Sequence, residues 1–572
     1  MFMKYNILKN IALCLAVSSV LFTGCKDDDE LGDAPRLFRP YGVLSATTQN
    51  LRPLINVDLE APISGAEKYE MTLFKADSVV NGTVYYDSSK VVDQGTTTET
   101  TFTFGNEKFL TWDVNYTVLV KAVGASIESK YFTCAAVTST DYPTSLKNIV
   151  ASELIDTAVV VRWEDGDEKY SFIDLTDAKD SILQRFDISG VSDNKLAIVD
   201  KLKPSTSYKV KAYVGTMPTQ PVEGEAFAAV PDADYRGKKV FKTLARQEYK
   251  VFTDLRNLTD EVAYTYLTTD FVASLPDSSV VILKGGVTYK ISGLTFTAND
   301  IKFVTGYSLD GQAKLEMSSN FKLTPAATTK GIEFENIHFY TPGVDETTAN
   351  YGGKYLFNIG SAEADAVLKH LTFKACTFKF FRGVCRIQAA ATIEKFSASN
   401  CIFTYIAGFG IANADNAAAV IGEMSLINST VSYADKVFVN TKNPTKTTKV
   451  TVEKCTFTNS PISDGKSYMF DFNGSSADFK FSKCIFAKSR DAVNGSICFR
   501  ASKSADFSSC YKSSDFVWYY AVDATAPTGA LDGVLLYSKD WTELFKAPAD
   551  FDFTLKDEKF DGYKIAGDPR WW

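Results

Sequence analysis

The chain has 572 residues, of which 45% are apolar and 23% charged, and its formal net charge is −8 at neutral pH. This apolar content excludes an intrinsically disordered chain and is sufficient for several hydrophobic cores. The net negative charge argues against a nucleic-acid-binding protein. The presence of only two histidines, His338 and His370, argues against a histidine-rich metal site or a serine-hydrolase triad.

Residues 1–24 have the pattern of a bacterial lipoprotein signal peptide. Lys4 and Lys9 precede an apolar run over residues 11–22, which is too short for a permanent membrane helix, and small residues then lead to Cys25. We therefore expect lipidation of Cys25; the alternative is a non-lipidated signal with an incidental cysteine.

An acidic tether is predicted over residues 25–34. Its Lys-Asp-Asp-Asp-Glu stretch resembles the export tag of Bacteroidota surface lipoproteins. That resemblance implies a lipid-anchored protein of the outer membrane that faces the cell exterior. The alternative is an ordinary solvated charge run.

Residues 35–140 and 141–232 are predicted to form two β-sandwiches. In the second segment, the Leu-x-Pro-x-Thr-x-Tyr string from Leu202 to Tyr208 precedes a strand of alternating apolar residues, and it resembles the tyrosine corner of fibronectin type III domains. A weaker version lies between Leu110 and Tyr116. The resemblance implies two fibronectin type III-like domains, which would act as a spacer after the lipid anchor.

The second half of the chain contains a repeat of the form apolar-x-apolar-x-x-(Ile, Cys or Ser)-x-apolar. Successive copies are separated by 39, 25, 28, 26, 29 and 26 residues, and the third position falls at Ile337, Cys376, Cys401, Ser429, Cys455, Cys484 and Cys510. Alternation that resumes after a two-residue corner indicates a bent strand, and a second apolar strand follows most copies. Units this short cannot bury their own apolar face, so we expect them to stack as coils.

The start of this region supports a specific fold. Residues 277–289, together with residues 291–293 and 301–306, resemble the opening coil of pectate-lyase-like right-handed parallel β-helices. The predicted fold class is therefore all-β, with two fibronectin type III-like sandwiches followed by a right-handed parallel β-helix with a C-terminal cap over residues 237–572. Since this fold carries lyases, hydrolases and non-catalytic binders, it implies little about function.

The cysteines and histidines of the repeat are predicted to be structural. Five of the eight cysteines that follow Cys25 occupy one repeat position, where stacked parallel side chains suit packing better than bridging. We expect mostly free, buried thiols. His338 and His370 both precede inward-facing residues, so we expect them to point outward as solvated strand residues.

Basic residues are concentrated in two stretches of the repeat. Between residues 366 and 393 no carboxylate accompanies Lys369, Lys374, Lys379, Arg382 and Arg386. Between residues 436 and 454 a single carboxylate, Glu453, accompanies Lys436, Lys442, Lys446, Lys449 and Lys454. Because successive coils are neighbours, equivalent cations would form a stripe suited to an acidic polysaccharide. The alternative is that these lysines keep exposed strands soluble and unpaired.

The sequence thus predicts a surface lipoprotein that binds a pectin-like plant polysaccharide without a cofactor. The resemblance to Bacteroidota surface lipoproteins implies that it works beside an outer-membrane glycan importer. Flat aromatic side chains would cover the apolar sides of sugar rings. For Trp518, Tyr519, Tyr520 and Trp541, which follow the last clear repeat, capping of the coils is the favoured interpretation and a sugar contact is the alternative. The predicted binding residues are Lys379, Arg382, Arg386, Arg500, Trp518 and Tyr519.

Two other functions stay open. A polysaccharide lyase would perform β-elimination on a uronate polymer with Arg386, Arg500 and Asp471, assisted by Ca²⁺. No tight acidic cluster for calcium is evident in the sequence, so we rank the lyase below the binder. A structural or adhesion lipoprotein without glycan affinity is the third possibility.

Overall fold

The computed structural model describes residues 36–164, 166, 169–199, 201–222, 224–443, 448–462, 468–475, 477–489, 497–501, 505–516 and 533–572. The predicted signal peptide and tether, with Cys25, lie outside the described residues, as do Trp518 and Tyr519. The chain forms two compact units, which comprise residues up to 148, 161–196 and 207–241 in one, and residues 149–160, 197–206 and 242–572 in the other.

The first sandwich consists of two antiparallel sheets. The smaller sheet contains Gly42–Gln49, Arg52–Leu59 and Thr101–Phe104. The larger sheet contains Lys68–Val80, Thr83–Thr97, Asn115–Val123, Phe132–Thr133 and Val137–Thr138. Ile55 from the smaller sheet and Val118 from the larger one lie in a shared core. The backbone N–H of Thr111 donates to Tyr116 Oη at 2.9 Å, so the weaker of the two predicted tyrosine corners has the expected hydrogen bond.

The second segment is also a fibronectin type III-like sandwich. One sheet contains Phe172–Asp177, Ile182–Asp187, Ser207–Tyr213 and Tyr235–Lys242, and a separate pair is formed by Val159–Arg162 and Lys195–Ile198. Tyr208, at the end of the predicted corner string, is buried, and its ring stacks on that of Phe241 with 5.8 Å between centroids. Short 3-10 turns lie at Ala151–Glu153 and Asp232–Asp234.

The remainder of the chain is a parallel β-helix whose coils have three faces. The first face is built from Phe252–Asp254, Ser279–Leu283, Asp300–Thr305, Gly331–Glu335, Val367–Lys374, Thr392–Ser399, Val420–Ile427, Thr448–Glu453, Ala477–Ser482 and Asp506–Ser508, with Thr328–Thr329 beside them. The second face is built from Thr288–Ile291, Ala313–Met317, Ile337–Tyr340, the starts of Thr377–Ile387 and Ile402–Ala414, then Thr430–Ala434, Thr456–Thr458, Ile485–Ala487, Cys510–Lys512 and Val534–Leu536. The third face is built from Leu294–Phe296, Phe321–Leu323, Tyr355–Ile359, the ends of Thr377–Ile387 and Ile402–Ala414, then Phe438–Asn440, Tyr468–Phe472 and Ile497–Ala501.

The corner between the first and second faces explains the spacing of the repeat. The residue directly before each of the seven repeat positions has a left-handed φ between 48° and 56°; these residues are Asn336, Ala375, Asn400, Asn428, Lys454, Lys483 and Ser509. A left-handed residue bends the strand without a loop, and asparagine tolerates this conformation well. The predicted bent strand is therefore confirmed.

The inward column beside this corner forms the core. Phe334 stacks on Phe373 of the next coil with 5.5 Å between ring centroids and 9° between ring planes, and both rings are buried. The cysteines at the repeat positions are buried with free thiols, and the Cys484 backbone N–H donates to Cys510 Sγ at 3.4 Å. Stacking of identical positions thus fills the interior with rings and sulfurs.

Two helices that the sequence analysis did not predict cover the first coil. They are Asp260–Tyr266 and Thr269–Ser274, and their residues Ala263 and Val272 are buried in the core of the β-helix. None of the helices in the described ranges has the length and apolar character that a membrane span requires.

The C-terminal segment lies against the side of the β-helix. It contains the helix Trp541–Leu544, the hairpin of Phe545–Ala547 and Asp552–Leu555, and 3-10 turns at Pro548–Asp550 and Pro569–Trp571. Asp568 accepts a hydrogen bond from Thr430 Oγ1 at 2.8 Å, and its N–H donates to Thr456 Oγ1 at 3.0 Å. These residues therefore cover outward side chains of the second face, whereas the sequence analysis expected a cap at the end of the coils.

Candidate functional site

The outward residues of the third face form a continuous column. Strand register places Asn358, Arg386, Asn413, Val439, Asp471 and Arg500 on successive coils. At ~4.8 Å per coil, Arg386 and Arg500 are about 19 Å apart. The structure thus brings three predicted residues into one column, but Arg386 lies about 14 Å from Asp471, so the proposed lyase residues do not form a single site.

Arg386 is held by an aromatic and acidic cluster. Its guanidinium lies 3.8 Å from the ring centroid of Phe409, and Nη1 donates to Tyr355 Oη at 3.2 Å. Nε donates to Asp415 Oδ2 at 2.9 Å, and Lys442 Nζ lies 2.6 Å from the other oxygen of that carboxylate. Burial raises the pKa of Asp415, but the hydrogen bonds from Lys442 and Arg386 outweigh burial and hold the pKa below its usual value.

Arg382 lies beside the same ring. Its guanidinium is 4.8 Å from the Phe409 centroid, so two arginines share this aromatic ring. The approach depends on Gly383, where a Cβ would meet Phe409 Cβ at 2.8 Å. Nε of Arg382 is buried without a hydrogen-bond partner among the described residues. This guanidinium is therefore less completely satisfied than that of Arg386.

Arg500 repeats the arrangement further along the column. Its Nε and Nη2 donate to the two oxygens of Asp471 at 2.9 and 2.8 Å, and its guanidinium lies 4.1 Å from the ring centroid of Tyr468. Lys436 Nζ is 3.7 Å from Asp471 Oδ2. Burial lowers the pKa of Arg500, but the bonds to Asp471 outweigh it and raise the pKa above its usual value. Arg500 therefore stays protonated, which does not suit the role of a general base.

The Arg386 and Arg500 clusters have the same arrangement, in which a buried carboxylate bridges an arginine and a lysine while the arginine stacks on an aromatic ring. Together they contain five cations and two carboxylates, which leaves three positive charges; the residues are Arg382, Arg386, Lys436, Lys442, Arg500, Asp415 and Asp471. We call these seven residues the cationic column. Their arrangement can hold a chain of negative groups beside flat apolar rings.

The structure divides the predicted basic stripe among the faces. Lys379 lies on the second face, where its ammonium is 4.7 Å from the Phe380 ring centroid. Lys449 lies on the first face, 3.7 Å from Glu423. A corner at Phe380, with φ of 65°, separates Lys379 from Arg382. Cations that are close in sequence therefore face different directions, and the cationic column draws on residues distributed from Arg382 to Arg500.

One member of the cationic column, Asp415, and two aromatic residues beside it, Tyr355 and Phe409, were not predicted from the sequence. Asp415 directly follows the strand Ile402–Ala414. Arg386 pairs with Asn413 of the next coil, so Asp415 lies two residues after that partner, and the length of the repeat indicates this position. Tyr355 is the first residue of the strand Tyr355–Ile359, and Phe409 lies between Gly408 and Gly410 within Ile402–Ala414, so neither is part of a clear apolar alternation in the sequence. Trp541 is buried in the C-terminal cluster, with the Lys488 ammonium 4.2 Å from its ring centroid.

In the described part of the chain, no group of three or more His, Cys, Asp or Glu side chains is arranged to hold a metal ion.

Comparisons with known proteins give fold information only. Residues 287–434 match a domain of unknown function (DUF4957), and residues 450–571 match another domain of unknown function (DUF5123). No curated protein matches the chain.

Two solved structures from chicken are similar to part of the chain. A two-domain fibronectin type III segment of tenascin has 14% identity and a TM-score of 0.16, and the match covers 36% of this chain and 99% of that chain. The FN1-FN3 domains of CNTN1 have 19% identity and a TM-score of 0.15, with 37% and 69% covered. Since both TM-scores are low, the sandwich assignment is based on the strand pairing described above.

Proposed function

We propose that this chain is a cell-surface lipoprotein that binds an acidic, pectin-like polysaccharide along its third face. The observation that carries the proposal is the cationic column, in which five cations outnumber two carboxylates beside three aromatic rings. In a chain of net charge −8, a local excess of positive charge focuses an anionic ligand onto one surface.

The members of the column have different roles in this proposal. Asp415 and Asp471 are largely buried, with 14% and 3% of their side chains exposed, and they fix the arginines in place. Lys442, with 54% of its side chain exposed, and the half-buried Arg382, which has no carboxylate at ion-pair distance among the described residues, are the groups that contact ligand carboxylates. The half-buried Phe409 is the ring beside which a sugar can pack, whereas Tyr355 is buried and orients Arg386 through its hydroxyl.

The spacing of the column favours a polymer over a small ligand. The Arg386 and Arg500 clusters lie about 19 Å apart along the coils, so one extended chain can contact both. Each exposed contact is weak, of order 0.2–1 kcal/mol, and several must act together to give useful affinity. Lipidation at Cys25 would keep the site at the outer membrane beside a glycan importer.

Affinity gel electrophoresis in polygalacturonate tests the proposal. The full chain should be retarded, and Arg382→Ala and Lys442→Ala should each reduce the retardation. Lys395→Ala and Lys449→Ala remove the same charge from the first face and should leave the mobility shift unchanged. Unretarded migration of the parent chain in polygalacturonate would refute the binding function.

A further inference from the structure

A second group of titratable side chains lies on the second face of the first coils, outside the cationic column. Strand register places Lys290, Glu316, Tyr340 and Lys379 in one outward column and Lys314, His338 and Thr377 in the next. We call these seven residues the His338 grid. Tyr264, in the helix Asp260–Tyr266, lies over its edge with its hydroxyl 3.1 Å from Glu316 Oε1.

A series of hydrogen bonds determines which ring nitrogen of His338 carries the proton. Gln312 Nε2 donates to the backbone carbonyl of Ala375 at 2.8 Å, so its Oε1 is the acceptor for Thr377 Oγ1 at 2.9 Å. The single hydroxyl proton of Thr377 is thereby used. Thr377 Oγ1 must then accept from His338 Nδ1, 2.6 Å away. The neutral imidazole therefore carries its proton on Nδ1 and a lone pair on Nε2.

The surroundings keep this imidazole neutral and immobile. Burial, followed by the positive charges of Lys314 and Lys379, lowers the pKa of His338 to about 4. The ring stacks beside Tyr340 with 5.5 Å between centroids and 11° between planes. Tyr340 Oη donates to Glu316 Oε2 at 3.1 Å, and burial together with this bond raises the pKa of Tyr340 to about 12.

The unsatisfied groups of the grid have a specific pattern. Among the described residues, His338 Nε2 has no hydrogen-bond partner, and neither Lys314 nor Lys379 has a carboxylate at ion-pair distance. The only carboxylate of the grid, Glu316, already accepts from Tyr264 and Tyr340. By strand register, this acceptor lies one coil from Lys314 in its own column and one coil from Lys379 in the adjacent column, where the Lys379 ammonium lies over the Phe380 ring.

We propose that the His338 grid is a subsite for a sugar acid, in which a ligand hydroxyl donates to His338 Nε2 and the adjacent ligand carboxylate binds Lys314 and Lys379. This inference rests on the proposed function, because the subsite on the second face would bind the same class of polymer as the cationic column. A neutral sugar satisfies the acceptor but leaves both lysines unpaired. A simple anion pairs the lysines but leaves the imidazole nitrogen without a donor.

Selective labelling makes the subsite directly observable, because the chain has only two histidines. The full chain is labelled with ¹³C and ¹⁵N histidine and titrated with a galacturonic acid oligomer, and in parallel with a neutral galactan oligomer. The resonances of His338 should show the Nδ1–H tautomer and shift with the acidic oligomer only. His370, on the first face 3.5 Å from Asp300, is the internal control and should not shift.

Two variants separate binding from folding. His338→Phe keeps an aromatic ring beside Tyr340 but removes the acceptor, and Lys314→Ala removes one cation from an exposed position; each should lower affinity for the acidic oligomer about fivefold. Retardation of the chain by polygalacturonate with an unmoved His338 resonance would overturn the subsite and leave the binding function standing. A chain that polygalacturonate does not retard and whose His338 resonance does not shift would overturn both the subsite and the binding function. An equal shift with the neutral oligomer would overturn the assignment to a sugar acid.

Discussion

Replacing Asp415 by Asn should have opposite effects on stability and affinity. The carboxylate of Asp415 accepts from Arg386 Nε at 2.9 Å and lies 2.6 Å from Lys442 Nζ, so the substitution releases two cations and raises the net charge of the cationic column from three to four. Loss of bonds to a charged group that is largely buried should cost about 1–3 kcal/mol of unfolding free energy. One additional exposed ion pair, at about 0.2–1 kcal/mol, should tighten polygalacturonate binding about 1.4- to 5-fold.

Titration calorimetry at low salt measures the affinity, and urea unfolding measures the stability. Glu423→Gln is the matched control, because it also removes one negative charge, from a carboxylate 3.7 Å from Lys449 on the first face. The control should leave affinity unchanged. Weaker binding by a folded Asp415→Asn chain would refute the assignment of Lys442 to the ligand. Equal tightening by both variants would show that overall charge, not the column, controls binding.

Further outcomes follow from the same contacts. Phe373→Ala should destabilise the β-helix by about 3–5 kcal/mol and the adjacent outward Thr372→Ala by less than about 0.5 kcal/mol, as measured by urea unfolding; similar costs would contradict the inward column. Arg500→Met should cost about 2–3 kcal/mol because Asp471 stays buried with Lys436, 3.7 Å away, as its remaining cation among the described residues. Adding Asp471→Leu should recover much of the loss, and strictly additive costs of the two substitutions would argue against the Arg500–Asp471 pair. The pKa of His338 lies below its unfolded value, so the unfolded chain binds more protons between about pH 4 and 6.5, and this residue should make stability rise with pH across that window. His338→Phe should remove that part of the slope, and an unaltered slope would contradict the lowered pKa. Polygalacturonate incubated with the chain should yield no ultraviolet-absorbing unsaturated uronide, and its appearance would support the lyase alternative.

Much of the β-helix was predictable because each coil repeats the same physical requirement. Apolar alternation locates the inward columns, and the step between Cys376 and Cys401 locates the corner that a left-handed Ala375 or Asn400 forms. The column that contains Arg386 and Arg500 was likewise predictable from the second apolar strand of each unit. These features depend on local periodicity, which a single sequence displays.

Features that depend on distant contacts were not predictable. The bend at Phe380 places Lys379 and Arg382 on different faces, although only two residues separate them, and no periodicity marks that bend. The hydrogen bond between Asp568 and Thr430 joins residues 138 positions apart. Because the sequence does not display this contact, the C-terminal segment was expected to cap the end of the coils. The bridging role of Asp415 depends on which side chains meet across neighbouring coils, which spacing alone does not define.

Lysine-selective acetylation followed by mass spectrometry tests the central claim most directly, because it compares the faces within one molecule. Polygalacturonate should protect Lys436 and Lys442 on the third face, whereas Lys395 and Lys449 on the first face should react as fast as in the free chain. Uniform reactivity at all four lysines, or protection confined to Lys395 and Lys449, would contradict a binding site on the cationic column.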